Sequence, residues 1–196
     1  MVSLGSDCEI AHQLRRHKIS KAYYPLDWVR SEDCDKVCEL LDRNFVSFLD
    51  AHSLKEVGVN NVDKPPRKVI SNESYKILFV HDFHMNKDKS DAQVVQKYAR
   101  RIARFRMTVA SKNQVYFFRK GITKAQAERI KAIIEKKWPQ LNYTLVALGE
   151  SEEFKNDWNM FRVRNFFLRN IEWPPAHGWE ENNARWDEIF KQLKLA

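Results

Sequence analysis

One cysteine and two histidines are the side chains best suited to nucleophilic chemistry in this 196-residue chain. Cys8 follows a short apolar stretch and a turn, and His81 and His84 follow a second apolar run, 77–80. A thiol within hydrogen-bond reach of an imidazole is the nucleophile and base pair of acyl transfer. We therefore expect Cys8 to be the nucleophile and His81 its general base, with His84 as the second choice.

A third group should orient the imidazole of such a pair. Asp82 is the nearest carboxylate in sequence and is a catalytic candidate for that reason. Neighbouring residues of a strand point to opposite faces, however, which makes Asp82 a poor partner for His81. Asp27, in an aromatic loop, and Glu150, at the end of a predicted strand, are possible substitutes.

The beginning of the chain predicts how Cys8 is positioned. Residues 2–4 predict a short strand, Gly5 a turn, and residues 6–9 (Ser-Asp-Cys-Glu) a capping box at the start of a helix. The helix dipole at that point favours an anion and should lower the pKa of the thiol. The backbone N–H groups of Asp7 and Cys8 could form an oxyanion hole. The alternative is a buried cysteine that only packs.

Along the whole chain, the sequence predicts strands that alternate with capped helices. This pattern predicts an α/β fold: a single domain over residues 1–196 with a mainly parallel central sheet and helices on both faces. We expect the strands near Val2, Ile77, Val115 and Leu145 to share that sheet. Ligands of such sheets bind beyond the carboxyl ends of the strands, where the candidate residues gather.

Further residues are expected to contact a substrate. Arg119 and Lys120 end a predicted strand and could bind a carboxylate or a phosphate. The aromatic loop 17–29 contains Asp27 and Trp28, and could either line a cleft or close one end of the core. The full set of expected substrate contacts is Ser6, Asp7, Asp27, Trp28, Arg119, Lys120 and Glu150.

The composition favours certain classes of binding partner but does not identify one. The chain has 34 Lys and Arg against 26 Asp and Glu, a net charge of +8 that attracts phosphates, nucleic acid or acidic partners. No apolar run is long enough to span a membrane, and no signal peptide is expected. The oligomeric state stays open.

The other two cysteines are expected to be structural. Cys34 and Cys38 repeat at helical spacing with Val37 and Leu41, which places them on an apolar face. No histidine lies nearby at a metal-site spacing, so we predict no metal and no cofactor. An odd number of cysteines is not a disulfide framework and favours a reducing compartment, the cytoplasm.

Two connections are predicted from composition. Residues 50–68 contain Gly58 and Pro65-Pro66 and show little periodicity, which indicates a long surface loop, followed by a short strand at Val69 and Ile70. Pro174-Pro175 and Gly178 mark a second loop, after which Asn182 or Asn183 caps a final helix.

Three motifs in order resemble the family of unknown function known as putative papain-like cysteine peptidases. They are the opening S-L-G-S-D-C-E-I-A-H-Q-L-R-R, the loop Y-P-L-D-W, in which Leu26 replaces the usual Phe, and the later F-V-H-D-F. The resemblance covers about the first two thirds of the chain. It implies that Cys8 and His81 match the family's cysteine and histidine, and that a papain-like α+β fold is the alternative architecture. The expected substrate is a peptide or a small molecule, and the basic composition makes an anionic one compatible.

Three functions are compatible with these observations. The first is a cysteine-dependent hydrolase, either a papain-like peptidase or an acyl-transfer enzyme. The second is a transferase or binding protein for a nucleotide-sugar or another phosphorylated ligand, with the helix start after Gly5 as phosphate site and Arg119 and Lys120 as clamps. The third is a basic scaffold for nucleic acid or an acidic partner. No G-x-G-x-x-G or P-loop motif supports the second.

Overall fold

The computed structural model describes residues 1–20, 22–88, 91–168 and 183–195. The described residues form two four-stranded sheets and five α-helices. In chain order the elements are β1 (Val2–Ser3), α1 (Glu9–Arg16), β2 (Val29–Arg30), α2 (Cys34–Asp42), β3 (Leu54–Asn60), β4 (Arg67–Asn72), β5 (Ile77–His84), α3 (Ala92–Val109), β6 (Val115–Lys120), α4 (Lys124–Lys137), β7 (Tyr143–Gly149), β8 (Val163–Phe167) and α5 (Asn183–Gln192). The predicted loop at Pro174-Pro175 and Gly178 lies outside the described residues.

The first sheet is entirely parallel and has the order β1-β6-β7-β8. Its central strands are apolar at successive positions because both faces are covered. Phe117 and Leu145 join the core that contains α4, whereas Phe118 and Val146 join a second core with α1 and α5. Helices therefore pack on both faces of this sheet, as the α/β pattern predicts.

The second sheet is antiparallel, with the order β2-β5-β4-β3. The prediction that Ile77 shares a sheet with Val2, Val115 and Leu145 is therefore wrong. The apolar run before His81 correctly indicates a buried strand, but burial alone does not reveal which sheet a strand joins. The protein is α/β with one parallel and one antiparallel sheet, and this arrangement is consistent with the papain-like α+β alternative.

Residues 50–68 are not a plain surface loop. They contain β3, which pairs with β4 to form a hairpin at the edge of the antiparallel sheet. From Lys55 to Val59 every residue of β3 is exposed, so the strand carries no alternation of buried and exposed residues that a sequence pattern could reveal. The hairpin tip lies between Asn60 and Arg67 and contains a cis peptide bond before Pro65.

One core joins the two sheets. It contains Val2 and Leu145 from the parallel sheet and Ile77 and Phe79 from the antiparallel sheet. The prediction of a single domain over residues 1–196 is compatible with this shared core and stays a prediction. No helix among the described residues is long and apolar enough to cross a membrane.

Cys34 and Cys38 are buried, as predicted. Helix α2 places them one turn apart, with the side chain of Asp33 accepting a hydrogen bond from the N–H of Lys36 at the helix start. A hydrogen bond with Cys34, together with burial, raises the pKa of Cys38. No group of three or more possible metal-ligating residues occurs in the described ranges.

Arg119 does not face a substrate. The prediction that it binds a carboxylate or a phosphate is wrong, because its side chain is 0% exposed. Its guanidinium group donates to the carbonyl oxygen of Leu4 at 3.1 Å, to Ser31 Oγ at 3.2 Å, and to the carbonyl oxygens of Ser31 at 2.6 Å and Glu32 at 3.3 Å. Arg119 thus fastens the end of β1 to the segment between β2 and α2.

We expect Arg119→Met to lower the free energy of unfolding by about 3 kcal/mol, because it leaves several buried acceptors without a donor. Urea unfolding followed by circular dichroism measures this change. Arg100→Met, which removes an exposed arginine of α3, is the control and should change the free energy by less than about 0.5 kcal/mol. Equal midpoints for the two variants would contradict the structural role of Arg119.

Candidate active site

A tight turn after β1 carries Cys8 to the start of α1. Gly5 has φ +83°, and a Cβ there would lie 2.1 Å from Ser31 Oγ, so only glycine fits. Ser31 pairs with Ser6 twice: the Ser6 N–H donates to Ser31 Oγ at 3.0 Å, and the Ser31 N–H donates to the Ser6 carbonyl at 2.8 Å. Ser6 is buried and contributes to this turn rather than to a substrate surface.

The predicted capping box between Ser6 and Glu9 does not form. Cys8 is the N-cap residue of α1, and Asp7 Oδ1 accepts the Glu9 N–H at 3.0 Å. The Glu9 carboxylate instead accepts from Trp186 Nε1 at 2.8 Å and from Lys120 Nζ at 2.5 Å. The sequence pattern is present, but buried partners from distant segments hold the Glu9 side chain.

The side chain of Lys120 also forms ion pairs within the protein. Its ammonium group lies 2.8 Å from Asp7 Oδ2 in addition to Glu9. Burial disfavours the charged amine, but the two carboxylates outweigh this effect and raise the pKa of Lys120. The two cations on which a phosphate site at the helix start would depend, Arg119 and Lys120, therefore both bind protein groups.

A bulge in β5 aims His81 at Cys8. Ile70 pairs with Phe79 and Lys68 with Phe83, so two steps along β4 correspond to four steps along β5. Extra residues of this kind bend a strand and redirect its side chains. The bulge is fixed by Asn60 of β3, whose side-chain amide donates to the carbonyl oxygen of Val80 at 3.0 Å.

Three side chains then form a line. Cys8 Sγ lies 3.6 Å from His81 Nε2, and His81 Nδ1 lies 2.9 Å from Asp63 Oδ2 and 3.1 Å from Oδ1. The ring of Trp28 packs edge-on to the imidazole, with centroids 6.4 Å apart. The structure brings the expected pair together and adds a carboxylate at the position of an orienting group.

Asp63 is the residue that the sequence reasoning missed. It lies at the tip of the β3–β4 hairpin, in the segment interpreted as a surface loop. Long connections often carry functional residues. That general expectation was the available signal, since nothing in the local pattern connects Asp63 with a histidine 18 residues later.

The other catalytic candidates lie elsewhere. Asp82 points away from His81, as its place on the strand predicts, and accepts a hydrogen bond from Tyr98 at 2.7 Å while it forms an ion pair with Lys97. His84 is exposed and bonds to Arg67 at the far end of the β4–β5 pairing. Both residues therefore lie away from the Cys8 sulfur.

Neither proposed substitute orients His81. Asp27 is buried and accepts the Tyr24 N–H at 2.8 Å, within its own loop. Burial raises the pKa of Asp27 to about 6. Glu150 is exposed beyond the end of β7, and no described contact links it to Cys8 or His81. Trp28 is thus the aromatic-loop residue that contacts the imidazole.

The thiol of Cys8 is more basic than the sequence predicts. Burial, followed by the charges of Asp7 and Asp82, raises the pKa of Cys8 to about 12. Asp63 acts in the same direction, and Arg30 opposes them. The expected lowering by the helix start is therefore wrong, because burial and three carboxylates oppose a thiolate. The raised pKa favours a thiol over a preformed thiolate at neutral pH.

We expect no thiolate signal from Cys8 between about pH 6 and pH 9, because a raised pKa places its ionisation above that range. The ultraviolet difference spectrum between the wild-type protein and Cys8→Ala measures the thiolate directly. Cys34 and Cys38 are present in both proteins and cancel. A thiolate band of full amplitude at pH 7 would contradict the neutral resting state.

The fold and these three side chains define an α/β protein with a cysteine–histidine–aspartate arrangement typical of cysteine hydrolases. The chain belongs to the family described as "Putative papain-like cysteine peptidase (DUF1796)", which matches residues 1–147. That range includes Cys8, Asp63 and His81. An uncharacterized protein from Acanthamoeba polyphaga mimivirus is 26% identical over 214 residues, covering 96% of each chain. No solved structure matches the chain.

Proposed function

We propose that the protein is a cysteine-dependent hydrolase in which Cys8 is the nucleophile, His81 the general base and Asp63 the orienting carboxylate. The observation that carries the proposal is the line from the Cys8 sulfur through both nitrogens of His81 to Asp63. The family to which the chain belongs supports the same class of chemistry.

The raised pKa of Cys8 determines how the first step proceeds. His81 Nε2 accepts the thiol proton while the sulfur attacks the carbonyl carbon of the substrate, so no free thiolate is required. Asp63 holds the Nδ1 proton and stabilises the imidazolium that forms. The developing oxyanion accepts a hydrogen bond from the backbone N–H of Cys8, at a helix start where N–H groups lack helical partners.

The second half of the reaction restores the enzyme. The imidazolium of His81 gives its proton to the leaving amine, which departs and leaves a thioester on Cys8. Water then attacks the thioester carbon and passes a proton to His81, and the sulfur leaves as its proton returns. A peptide is the substrate class that the family favours, and the three free thiols support action in a reducing compartment such as the cytoplasm.

We expect Cys8→Ala to abolish amide hydrolysis and His81→Gln to reduce kcat/KM by roughly a thousandfold or more. Asp63→Asn should reduce it by at least roughly a hundredfold, because the asparagine cannot stabilise the imidazolium. A library of fluorogenic peptide amides supplies the assay, with each variant's fold checked by circular dichroism.

His84→Gln is the matched control, because it removes an exposed histidine from the same strand. It should leave kcat/KM within about twofold of the wild-type value, since surface substitutions usually have small effects. Amide hydrolysis that survives Cys8→Ala, or that depends on His84 and not on His81, would refute the proposed assignment. The pH dependence of Asp63→Asn should shift relative to the wild type, which a purely structural loss would not cause.

A further inference from the structure

A group of cations lies along the surface that leads away from Cys8. Cys8 has helical backbone angles, φ −77° and ψ −12°, and begins the same helical path as α1. Arg15 is seven residues further on, which is two turns, so it lies on the same face about 10 Å from Cys8 along the axis. Arg15 is therefore on the side of α1 that carries the candidate nucleophile.

Tyr23 contacts Arg15 and two more arginines, Arg101 and Arg104. The Arg15 guanidinium lies over the Tyr23 ring, 3.3 Å from its centroid, and that of Arg101 is 5.3 Å from it. Arg104 Nη1 donates to the Tyr23 carbonyl oxygen at 2.5 Å. Tyr23 is 44% exposed, so this group opens to solvent. We call Arg15, Arg101 and Arg104 the arginine cluster.

Arg101 has an unmet hydrogen bond. Its side chain belongs to a residue only 7% exposed, between the rings of Tyr23 and Tyr98, and its Nη1 atom is buried with no partner among the described residues. Buried charged donors in proteins nearly always have an acceptor, because leaving one unpaired is unfavourable. Arg101 therefore retains a donor that an acceptor atom of a ligand can satisfy.

The charges around the cluster favour an anion. Asp82 is paired with Lys97, one turn before Arg101 on α3. Asp27 is the other nearby carboxylate, and it offsets at most one of the three positive charges. The three arginines thus exceed the negative charge available to them, and guanidinium groups pair well with carboxylates and phosphates.

We propose that the arginine cluster binds an anionic group of the substrate, a carboxylate or a phosphate, about two helical turns along α1 from Cys8. This inference rests on the proposed function and adds a substrate class to it: acidic or phosphorylated peptides. A span of about 10 Å corresponds to roughly three extended residues between the reacting group and the charge.

Alkylation of Cys8 by charged and neutral peptide probes tests the inference. The probes are iodoacetyl-Gly-Gly-Glu-amide, the matching phosphoserine peptide and the neutral Gln peptide. Each forms a carbon–sulfur bond at Cys8, releases iodide and transfers the thiol proton to His81 or to water. Peptide mapping by mass spectrometry gives the rate at Cys8 separately from the buried Cys34 and Cys38.

The Glu or the phosphoserine probe should react roughly tenfold faster than the Gln probe at low ionic strength. The preferred anion identifies the source of the charge, and salt should reduce the preference. Arg101→Gln should bring the ratio close to one. Because Arg101 is buried, Arg15→Gln and Arg104→Gln serve as variants nearer the surface and should each lower the ratio severalfold.

Arg100→Gln is the matched control, since it removes an exposed arginine next to Arg101 on the same helix. It should keep the wild-type ratio. Equal rates for all three probes in the wild-type protein, or a ratio that falls as much in Arg100→Gln as in Arg104→Gln, would overturn the arginine cluster as a binding site.

A binding measurement separates this inference from the proposed function. Calorimetry with Cys8→Ala and acetyl-Gly-Gly-Glu-amide, the phosphoserine peptide or the Gln peptide needs no reaction at sulfur. Preferential binding of either charged peptide, lost in Arg104→Gln, supports the cluster even if Cys8 proves unreactive. If neither binding nor alkylation shows a charge preference, the arginine cluster is not a binding site. The catalytic assignment is then still decided by the hydrolysis assay alone.

Discussion

The buried guanidinium group of Arg119 holds together the segments on which the position of Cys8 depends. It binds the last residue before the Gly5 turn and the segment that leads into α2, and Ser31 in turn fixes the backbone of Ser6. These bonds connect β1, β6 and the entry to α2 within the protein interior. A charge buried in this way is stable only when several acceptors surround it, so the turn, the arginine and the Ser31 hydroxyl depend on one another.

The second half of the site comes from the other sheet. His81 contacts Cys8 from the bulge of β5, Asn60 ties the end of β3 to that bulge, and Asp63 contacts the other nitrogen of His81. Nucleophile and base therefore belong to different sheets, joined by one apolar core. Their 3.6 Å separation is then a consequence of packing between sheets, and a core substitution far from the sulfur can change it.

Local patterns predicted the parts of the site that local structure determines. The strand, glycine and helix around Cys8 and the buried strand before His81 follow from short-range periodicity and turn chemistry. Asp63 did not follow, because β3 is exposed and shows no alternation. Arg119 was misassigned because a basic residue at a strand end has the same sequence pattern whether it faces solvent or four buried acceptors. The capping box failed for a similar reason: Glu9 has stronger partners in Trp186 and Lys120 than in Ser6.

The electrostatics of the site connect its chemistry with the kind of substrate it can accept. The carboxylates of Asp7, Asp63 and Asp82 all raise the pKa of Cys8, and they would also repel an anion placed at the sulfur. A more basic thiol is the stronger nucleophile when it is deprotonated in the course of attack. An acidic substrate is therefore compatible with this site only when its charge lies away from the sulfur, and the arginine cluster two helical turns along α1 provides cations at that distance.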